Sequence, residues 1–237
     1  MSTADLSSVS ILTNIITAPA RAFAAIKERP TVWLPLTVLI VTYCAVSVVY
    51  TSSVDLAWLI DQQLQQAPNL TDAQREQAVK AALRISPAVY GVIAAVGAAI
   101  FIPLLFALTS LYYTGVSFVT GDGVKYKQWF ALASWCSIPV VFGIVAALVH
   151  VLAGDARFMR QEELNPFSFG NLLAIDMTGL TRLQRVLLNL DVTVVWSVVL
   201  SILGYQSFTK RSLAFSAAVV LGPIVAIVAI VTLLALR

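Results

Sequence analysis

Long apolar windows without a single charged residue alternate with shorter polar segments along this chain. The windows cover residues 31–54, 86–121, 128–154, 192–209 and 212–236. A membrane-spanning helix needs about 20 mostly apolar residues, because each residue advances about 1.5 Å across a hydrocarbon core of about 30 Å. The pattern therefore predicts an all-α fold, a polytopic membrane helix bundle with five transmembrane helices.

Helix-start signals adjust the limits of these spans. Thr181 and Gln184 have the spacing of a capping box, and apolar residues continue at helical spacing as far as Val194. We therefore expect the fourth helix to begin near Arg182, and we place the spans at about 31–54, 86–118, 129–153, 186–208 and 212–236. The second window would be about 54 Å long as one helix. Either it extends beyond the bilayer or Pro103 bends it.

The segment 1–30, ahead of the membrane domain 31–237, has a different pattern. Thr17 followed by Pro19 indicates a helix restart, and Arg29 before Pro30 indicates a helix end. We predict an amphipathic cytoplasmic or interfacial segment that anchors on the membrane surface, with a docking helix for a partner as the alternative. The apolar stripe at helical spacing comprises Val9, Leu12, Ile16, Phe23 and Ile26.

Composition supports lipid as the solvent. Apolar residues make up 59% of the chain and charged residues 11%, and the mean hydropathy is +0.87. A soluble domain has about 25% charged residues. The net charge of +3 is small and dispersed, which argues against nucleic acid as a partner.

Basic residues predict the orientation. Seven of the fifteen lie in short segments next to the predicted spans, all on one side, whereas the charges of the longer segments 55–85 and 155–190 balance. The positive-inside rule then places the N-terminus in the cytoplasm and the C-terminus outside. Five of these residues are candidate contacts to anionic lipid headgroups or to a partner: Arg21, Lys125, Lys127, Lys210 and Arg211.

Aromatic residues near the predicted ends of the spans fit this layout. Trp33, Tyr112, Tyr113, Trp129 and Tyr205 all fall at inner ends. Their rings are apolar and their tips are polar, which favours the membrane interface. We therefore expect these side chains to mark the boundary between lipid and water.

Asp191 is the most unusual residue of the predicted spans. In a helix that begins near Arg182 it lies about 14 Å along the axis, and no cation follows or precedes it by three or four positions. A carboxylate at that depth is costly and needs a partner or water. His150 lies at a matching depth of the third span, so we predict that Asp191 and His150 approach each other. The alternative is that Asp191 caps a helix or reaches the interface.

Motifs for catalysis are missing from the sequence. It contains no HExxH, GxSxG, phosphate-binding loop or CxxC pattern, and its only histidine and two cysteines do not form a metal cluster by spacing. We therefore predict no enzyme activity and no cofactor. Prolines within predicted spans, namely Pro35, Pro103, Pro139 and Pro223, are typical of transporters with broken helices as well as of packing kinks.

Three stretches together resemble bacterial proteins with a Yip1 domain. They are residues 17–30, residues 121–133 with the following Ser137-Ile138-Pro139, and Leu190-Asp191-Val192 with Trp196 and Gly204-Tyr205. The resemblance implies five spans and a cytoplasmic N-terminus. Arg21, Pro139, Asp191 and Trp196 match the family pattern, which assigns them no role.

Eukaryotic members of the family that this chain resembles act in vesicle trafficking and interact with small GTPases. This chain lacks their long hydrophilic N-terminal region and their Asp-Leu-Tyr-Gly-Pro motif, so GTPase binding is not expected. The amphipathic N-terminal segment and the absence of catalytic motifs favour a non-enzymatic protein of Yip1 type, which organises membrane or binds other membrane proteins or itself. We expect it in a bacterial inner membrane. The alternative is a small transporter or channel that uses a polar site near Asp191.

Overall fold

The computed structural model describes residues 7–65, 70–175 and 190–235, and the described part is helical without a β-strand. Apolar runs of helical length account for the long elements, and capping residues and prolines set their limits. The α-helices are α1 (Ser8–Thr17), α2 (Pro19–Glu28), α3 (Trp33–Ser53), α4 (Leu56–Gln65), α5 (Asp72–Ala82), α6 (Pro87–Thr120), α7 (Tyr126–Cys136), α8 (Ile138–Ala153), α9 (Phe169–Leu172), α10 (Val192–Thr209) and α11 (Leu213–Ala235).

Two compact units make up the chain. Unit 1 comprises Met1–Leu39, Pro103–Val140 and Thr193–Arg237, and unit 2 comprises Ile40–Ile102 and Val141–Val192. Each unit has a cluster of buried apolar side chains. In unit 1 the cluster is large and includes Phe23, Trp129 and Tyr205, whereas in unit 2 it is smaller and includes Tyr50 and Met159.

Four elements are long and apolar enough to cross a membrane: Trp33–Ser53, Pro87–Thr120, Tyr126–Ala153 and Val192–Thr209. They coincide with the first four predicted spans. The fifth predicted span falls on α11, whose apolar side chains are described without interruption only over Leu213–Ala226. Five spans therefore stay a prediction, of which four have candidate helices.

The N-terminal segment forms two short helices that pack on each other and on α7 within unit 1. The Ser7 hydroxyl caps α1 by accepting the Ser10 N–H at 3.2 Å, and Pro19 begins α2. The buried face agrees with the predicted stripe in α2 and differs from it in α1. Phe23 and Ile26 are buried as predicted. In α1, Ile11 and Ile15 are buried whereas Val9 is 68% exposed, so the stripe there is rotated by about one position. Location on a membrane surface stays a prediction.

The polar segment after α3 contains two helices. The helix α5 covers Asp72–Ala82, and the Thr71 and Gln74 side chains form its capping box. The Glu76 carboxylate accepts a hydrogen bond from Lys80 at 2.6 Å, and this bond lowers the pKa of Glu76. The preceding helix α4 was not predicted.

The second span is one continuous helix of 34 residues with Pro103 inside it. The third span is interrupted instead. Ser137 separates α7 from α8, and Pro139 occupies the first turn of α8, where its missing N–H leaves no hydrogen bond unmade. The proline therefore fits a helix start, and the Ser137 hydroxyl donates to the Ser134 carbonyl at 2.7 Å at the same break.

The predicted start of the fourth helix is wrong at two residues. Leu190 and Asp191 lie outside any helix, and α10 begins at Val192. Asp191 forms an antiparallel β-bridge with Ser168, so its backbone pairs with another segment instead of continuing a helix. The remainder of the predicted extension, residues 182–189, lies outside the described residues.

Candidate functional site

Asp191 occupies the position immediately before α10 and is only 8% exposed. A carboxylate at a helix N-terminus interacts favourably with the free N–H groups of the first turn. Its Oδ2 also accepts a hydrogen bond from Asn165 Nδ2 at 2.6 Å. This position agrees with the capping alternative for Asp191 and explains how its charge is accommodated without the depth that the longer helix implied.

The loop 165–171 packs against the Asp191 segment through backbone hydrogen bonds. The Phe169 N–H donates to the Leu190 carbonyl at 2.9 Å, and the Val192 N–H donates to the Phe167 carbonyl at 3.2 Å. Asn171 ties the loop to itself, since its Nδ2 donates to the Asn165 carbonyl at 2.8 Å. We call residues 165–171 and 190–191 the Asp191 loop. Its polar side chains satisfy backbone groups that no regular element satisfies.

His150 lies in the last turn of α8 and borders two clefts of unit 2. Pro166, which belongs to the Asp191 loop, lines both clefts, and Asn171 lines one of them. His150 thus shares a cleft wall with Pro166, and Asp191 contacts the same segment 165–171 through Asn165. Asp191 lines neither cleft. Their direct approach stays a prediction.

The basic candidates fall into exposed and engaged side chains. Arg21, Lys125, Lys127 and Lys210 are exposed, and their contacts with lipid or a partner stay a prediction. Arg211 is engaged, because its Nε donates to Asp122 Oδ1 at 2.8 Å.

The Asp122 side chain is buried and takes part in the contacts between two turns of unit 1. The Asp122 side chain is 4% exposed and also accepts from the Thr120 hydroxyl, and Arg211 donates to the Thr120 carbonyl. These contacts join the turn after α6 to the turn after α10. We call Thr120, Asp122 and Arg211 the loop clasp. Sequence reasoning identified Arg211 but missed its partner, although Asp122 was the only acidic residue of that turn.

Lys27 is a second cation that sequence reasoning did not assign to a contact. Its Nζ donates to the Phe208 carbonyl at 2.5 Å, in the last turn of α10. The carbonyls of a last turn have no helical partner and bear partial negative charge, so a cation there is favourable. Gln128 Nε2 donates to the Lys27 carbonyl at 2.7 Å. The N-terminal segment is thus tied to α7 and to the end of α10.

An aromatic cluster fills the interior beneath these ties. The rings of Trp129 and Tyr205 stack at 4.9 Å with an angle of 18° between their planes, and Tyr113 and Phe208 pack around them. Trp129 and Tyr205 are 0% exposed, so their rings contact other protein side chains, and their position at the membrane interface stays a prediction. Their polar atoms, Trp129 Nε1 and the Tyr205 hydroxyl, have no hydrogen-bond partner within the described residues.

The remaining family-pattern positions contribute no reactive group. Pro139 begins α8, as described above, and Trp196 is 43% exposed on α10. Among the described residues, no three His, Cys, Asp or Glu side chains come close enough to hold a metal ion.

Comparison with known proteins gives one positive result. The sequence profile described as the Yip1 domain matches residues 13–236, which is nearly the whole chain. No curated protein matches, and no solved structure matches. The matched range contains the loop clasp, the aromatic cluster and the Asp191 loop. This chain therefore belongs to the Yip1 domain family.

Proposed function

We propose that this membrane protein is non-enzymatic and organises membrane or binds other membrane proteins through α6. The observation that carries the proposal is the low burial of that helix within its own chain. Only 6% of the most apolar stretch of α6 is buried, against 22% for α3, 39% for α7 with α8, and 28% for α10. A 34-residue apolar helix with so few contacts offers most of its surface to lipid or to another helix.

Two glycines of α6 differ in a way that supports helix docking. A Cβ at Gly91 would come within 2.6 Å of Thr51 Oγ1, so Gly91 already serves the packing of α6 against α3 in unit 2. A Cβ at Gly97 would meet nothing within 4 Å. Small residues let membrane helices approach closely. Gly97, six residues further along, offers the same opportunity to a helix of another protein.

The family and the basic residues support the remaining parts of the proposal. We place the chain in a bacterial inner membrane with five spans, a cytoplasmic N-terminus and an external C-terminus. The bilayer is its main partner, and other membrane proteins or copies of itself dock on α6. Small GTPases are not expected as partners, because the sequence motif associated with them is missing. Topology is tested by reporter fusions at each terminus, and activity of the cytoplasmic reporter at both ends would contradict five spans.

The docking proposal is tested by purifying the full chain from native membranes in mild detergent and identifying the proteins that accompany it. The variant Gly97→Leu adds bulk where the chain itself has open space. We expect it to keep the thermal stability of the wild type and to lose accompanying proteins at least fivefold. The same set of proteins at the same yield from both forms would contradict docking at Gly97. Transport of a solute by the purified protein in liposomes would contradict this proposal and favour the alternative of a small transporter or channel.

A further inference from the structure

We propose that a cleft of about 530 Å³ in unit 2 binds an organic ammonium group, that is, a protonated primary amine. The cleft lies where α8 ends and the chain turns back, and its walls include His150, Asp155, Phe158, Met159, Glu163 and Asn171. No functional assignment covers this cleft. The ammonium belongs to a lipid headgroup of the ethanolamine type or to a free soluble amine, since both present the same chemistry.

The cleft carries two carboxylates with unused acceptor capacity. Asp155 Oδ1 accepts the Arg157 N–H at 3.1 Å, and Glu163 Oε2 accepts the Arg160 N–H at 2.9 Å. Within the described residues the second oxygen of each carboxylate has no hydrogen bond and no ion pair. Two such charges facing one concave space favour a cation that donates hydrogen bonds.

The cation nearest in sequence is engaged elsewhere. The Arg157 guanidinium lies 3.9 Å from Asp55 Oδ2 and stacks over the Phe158 ring at 5.2 Å. The C-terminal end of α8 adds to the negative potential, because its last carbonyls carry partial negative charge. Within the described part of the chain, the residues that line the cleft include no arginine or lysine.

An organic cation fits the remaining walls better than a metal ion. His, Asp and Glu side chains do not converge to metal-ligand distance anywhere in the described residues, so the acceptors are spread around the space. Asn171 uses its Nδ2 as donor to three backbone carbonyls, which leaves its Oδ1 as a further acceptor. An ammonium group has three N–H donors for such dispersed acceptors. Phe158 and Met159 provide apolar surface for the methylene groups attached to it.

The test uses the purified full chain in mild detergent with two probes. One arm adds phosphatidylethanolamine, with phosphatidylcholine of the same acyl chains as reference, and counts retained lipid by native mass spectrometry. The other arm titrates putrescine by calorimetry. We expect saturable binding in at least one arm, and the arm that binds identifies the source of the amine. Phosphatidylcholine is expected to bind at least fivefold less, since its ammonium has no N–H donor.

Variants locate the binding. Asp155→Asn with Glu163→Gln removes both charges but keeps an oxygen acceptor for each loop N–H, and we expect at least tenfold weaker binding at an unchanged unfolding temperature. Glu162→Gln is the matched control, because it removes a neighbouring charge that does not line the cleft, and a change below twofold is expected.

His150→Lys tests the site without touching the carboxylates. The exposed His150 lies at a helix end that favours a cation, so the variant is expected to fold and to block the cleft with a tethered ammonium. Binding of the amine probes to this variant as in the wild type would overturn the proposal. Absence of saturable binding in both arms for the wild type would overturn it as well.

Discussion

Unit 1 and unit 2 close their loops with different kinds of contact. In unit 1, stacked aromatic rings fill the interior, and two long cations, Lys27 and Arg211, reach across to distant segments. In unit 2, the Asp191 loop is closed by short polar side chains: Asn165 bonds to the Asp191 carboxylate, and Asn171 bonds to backbone carbonyls. The first unit depends on large buried surfaces and the second on many small hydrogen bonds.

This difference sets the size of the effect that each substitution should have. Removing a large buried ring loses both transfer free energy and packing, and costs several kcal/mol. Removing one side-chain hydrogen bond costs about 1 kcal/mol, and more when a charge is involved. Unit 1 should therefore be sensitive to truncation of single rings, while unit 2 should lose stability in smaller steps.

The largest effect is expected for Trp129→Ala. Trp129 is 0% exposed and contacts the rings of Tyr113, Tyr205 and Phe208. We expect a loss of about 3 to 5 kcal/mol in the free energy of unfolding, measured by denaturant titration of the purified protein in detergent.

Trp33→Ala is the matched control for that variant. It makes the same chemical change at a residue that is 81% exposed, and a loss below about 0.5 kcal/mol is expected because surface substitutions rarely cost more. Comparable losses for the two variants would show that the aromatic cluster does not dominate unit 1.

A smaller effect is expected for Arg211→Ala in the loop clasp. The substitution leaves the Asp122 carboxylate, which is 4% exposed, without its ion pair. We expect a loss of about 2 to 3 kcal/mol, which is less than for a fully buried pair because Arg211 is 40% exposed. Thermal unfolding measures it.

The control for the clasp is Lys210→Ala, which removes the adjacent exposed cation and should cost below about 0.5 kcal/mol. In a protein that already carries Asp122→Asn, the Arg211→Ala substitution should cost about 1 kcal/mol less than in the wild type. The reason is that no buried charge is then left unpaired. An equal cost in both backgrounds would rule out the pair as the source of the effect.

The membrane helices could be predicted from the sequence because lipid imposes a simple requirement of length and apolarity. Four candidate spans lie where the charge-free windows are. The aromatic residues could not be sorted in the same way. Trp33 and Trp129 both lie near the predicted end of a span, yet the first is 81% exposed and the second is buried. Only the packing of α7 against other segments of unit 1 distinguishes them.

Tertiary contacts also explain the error at Asp191. The capping pattern at Thr181 and Gln184 is a local signal and predicts a helix that continues through Asp191. In the structure, the backbone of residues 190–192 forms hydrogen bonds with the loop 167–169 instead. The spacing of residues along one segment carries no information about such a competitor. The same holds for Lys27, whose carbonyl partner Phe208 is 181 positions away.

For unit 2 we expect moderate losses from Asp191→Ala and Asn165→Ala. Each removes one side of the 2.6 Å hydrogen bond between Asn165 and Asp191 within unit 2. We expect about 1 to 2 kcal/mol for each variant, since the bond involves a carboxylate. Thermal unfolding of the two single variants measures the losses.

The double variant shows whether this hydrogen bond is the shared cause. The loss of stability in the double variant should be smaller than the sum of the losses in Asp191→Ala and Asn165→Ala. We expect a coupling free energy of about 0.5 kcal/mol or more. Asp191→Asn keeps an acceptor oxygen and should lose less than Asp191→Ala. Strict additivity would mean that Asp191 and Asn165 contribute to stability independently of each other.

The smallest effect is expected for Lys27→Met, which removes the cation from the last turn of α10 but keeps a long apolar stem. A cation at a helix C-terminus contributes about 0.3 to 1 kcal/mol, so the global stability should hardly change. Because the 2.5 Å bond to the Phe208 carbonyl ties the N-terminal segment to α10, the local effect should exceed the global one. Hydrogen exchange of α1 and α2 should speed up by about twofold to fivefold, which is the same free energy expressed as a rate.

Lys127→Met is the control, since Lys127 is exposed on the neighbouring helix and makes no such bond within the described residues. Equal exchange in the two variants would show that aromatic packing alone holds the N-terminal segment in unit 1.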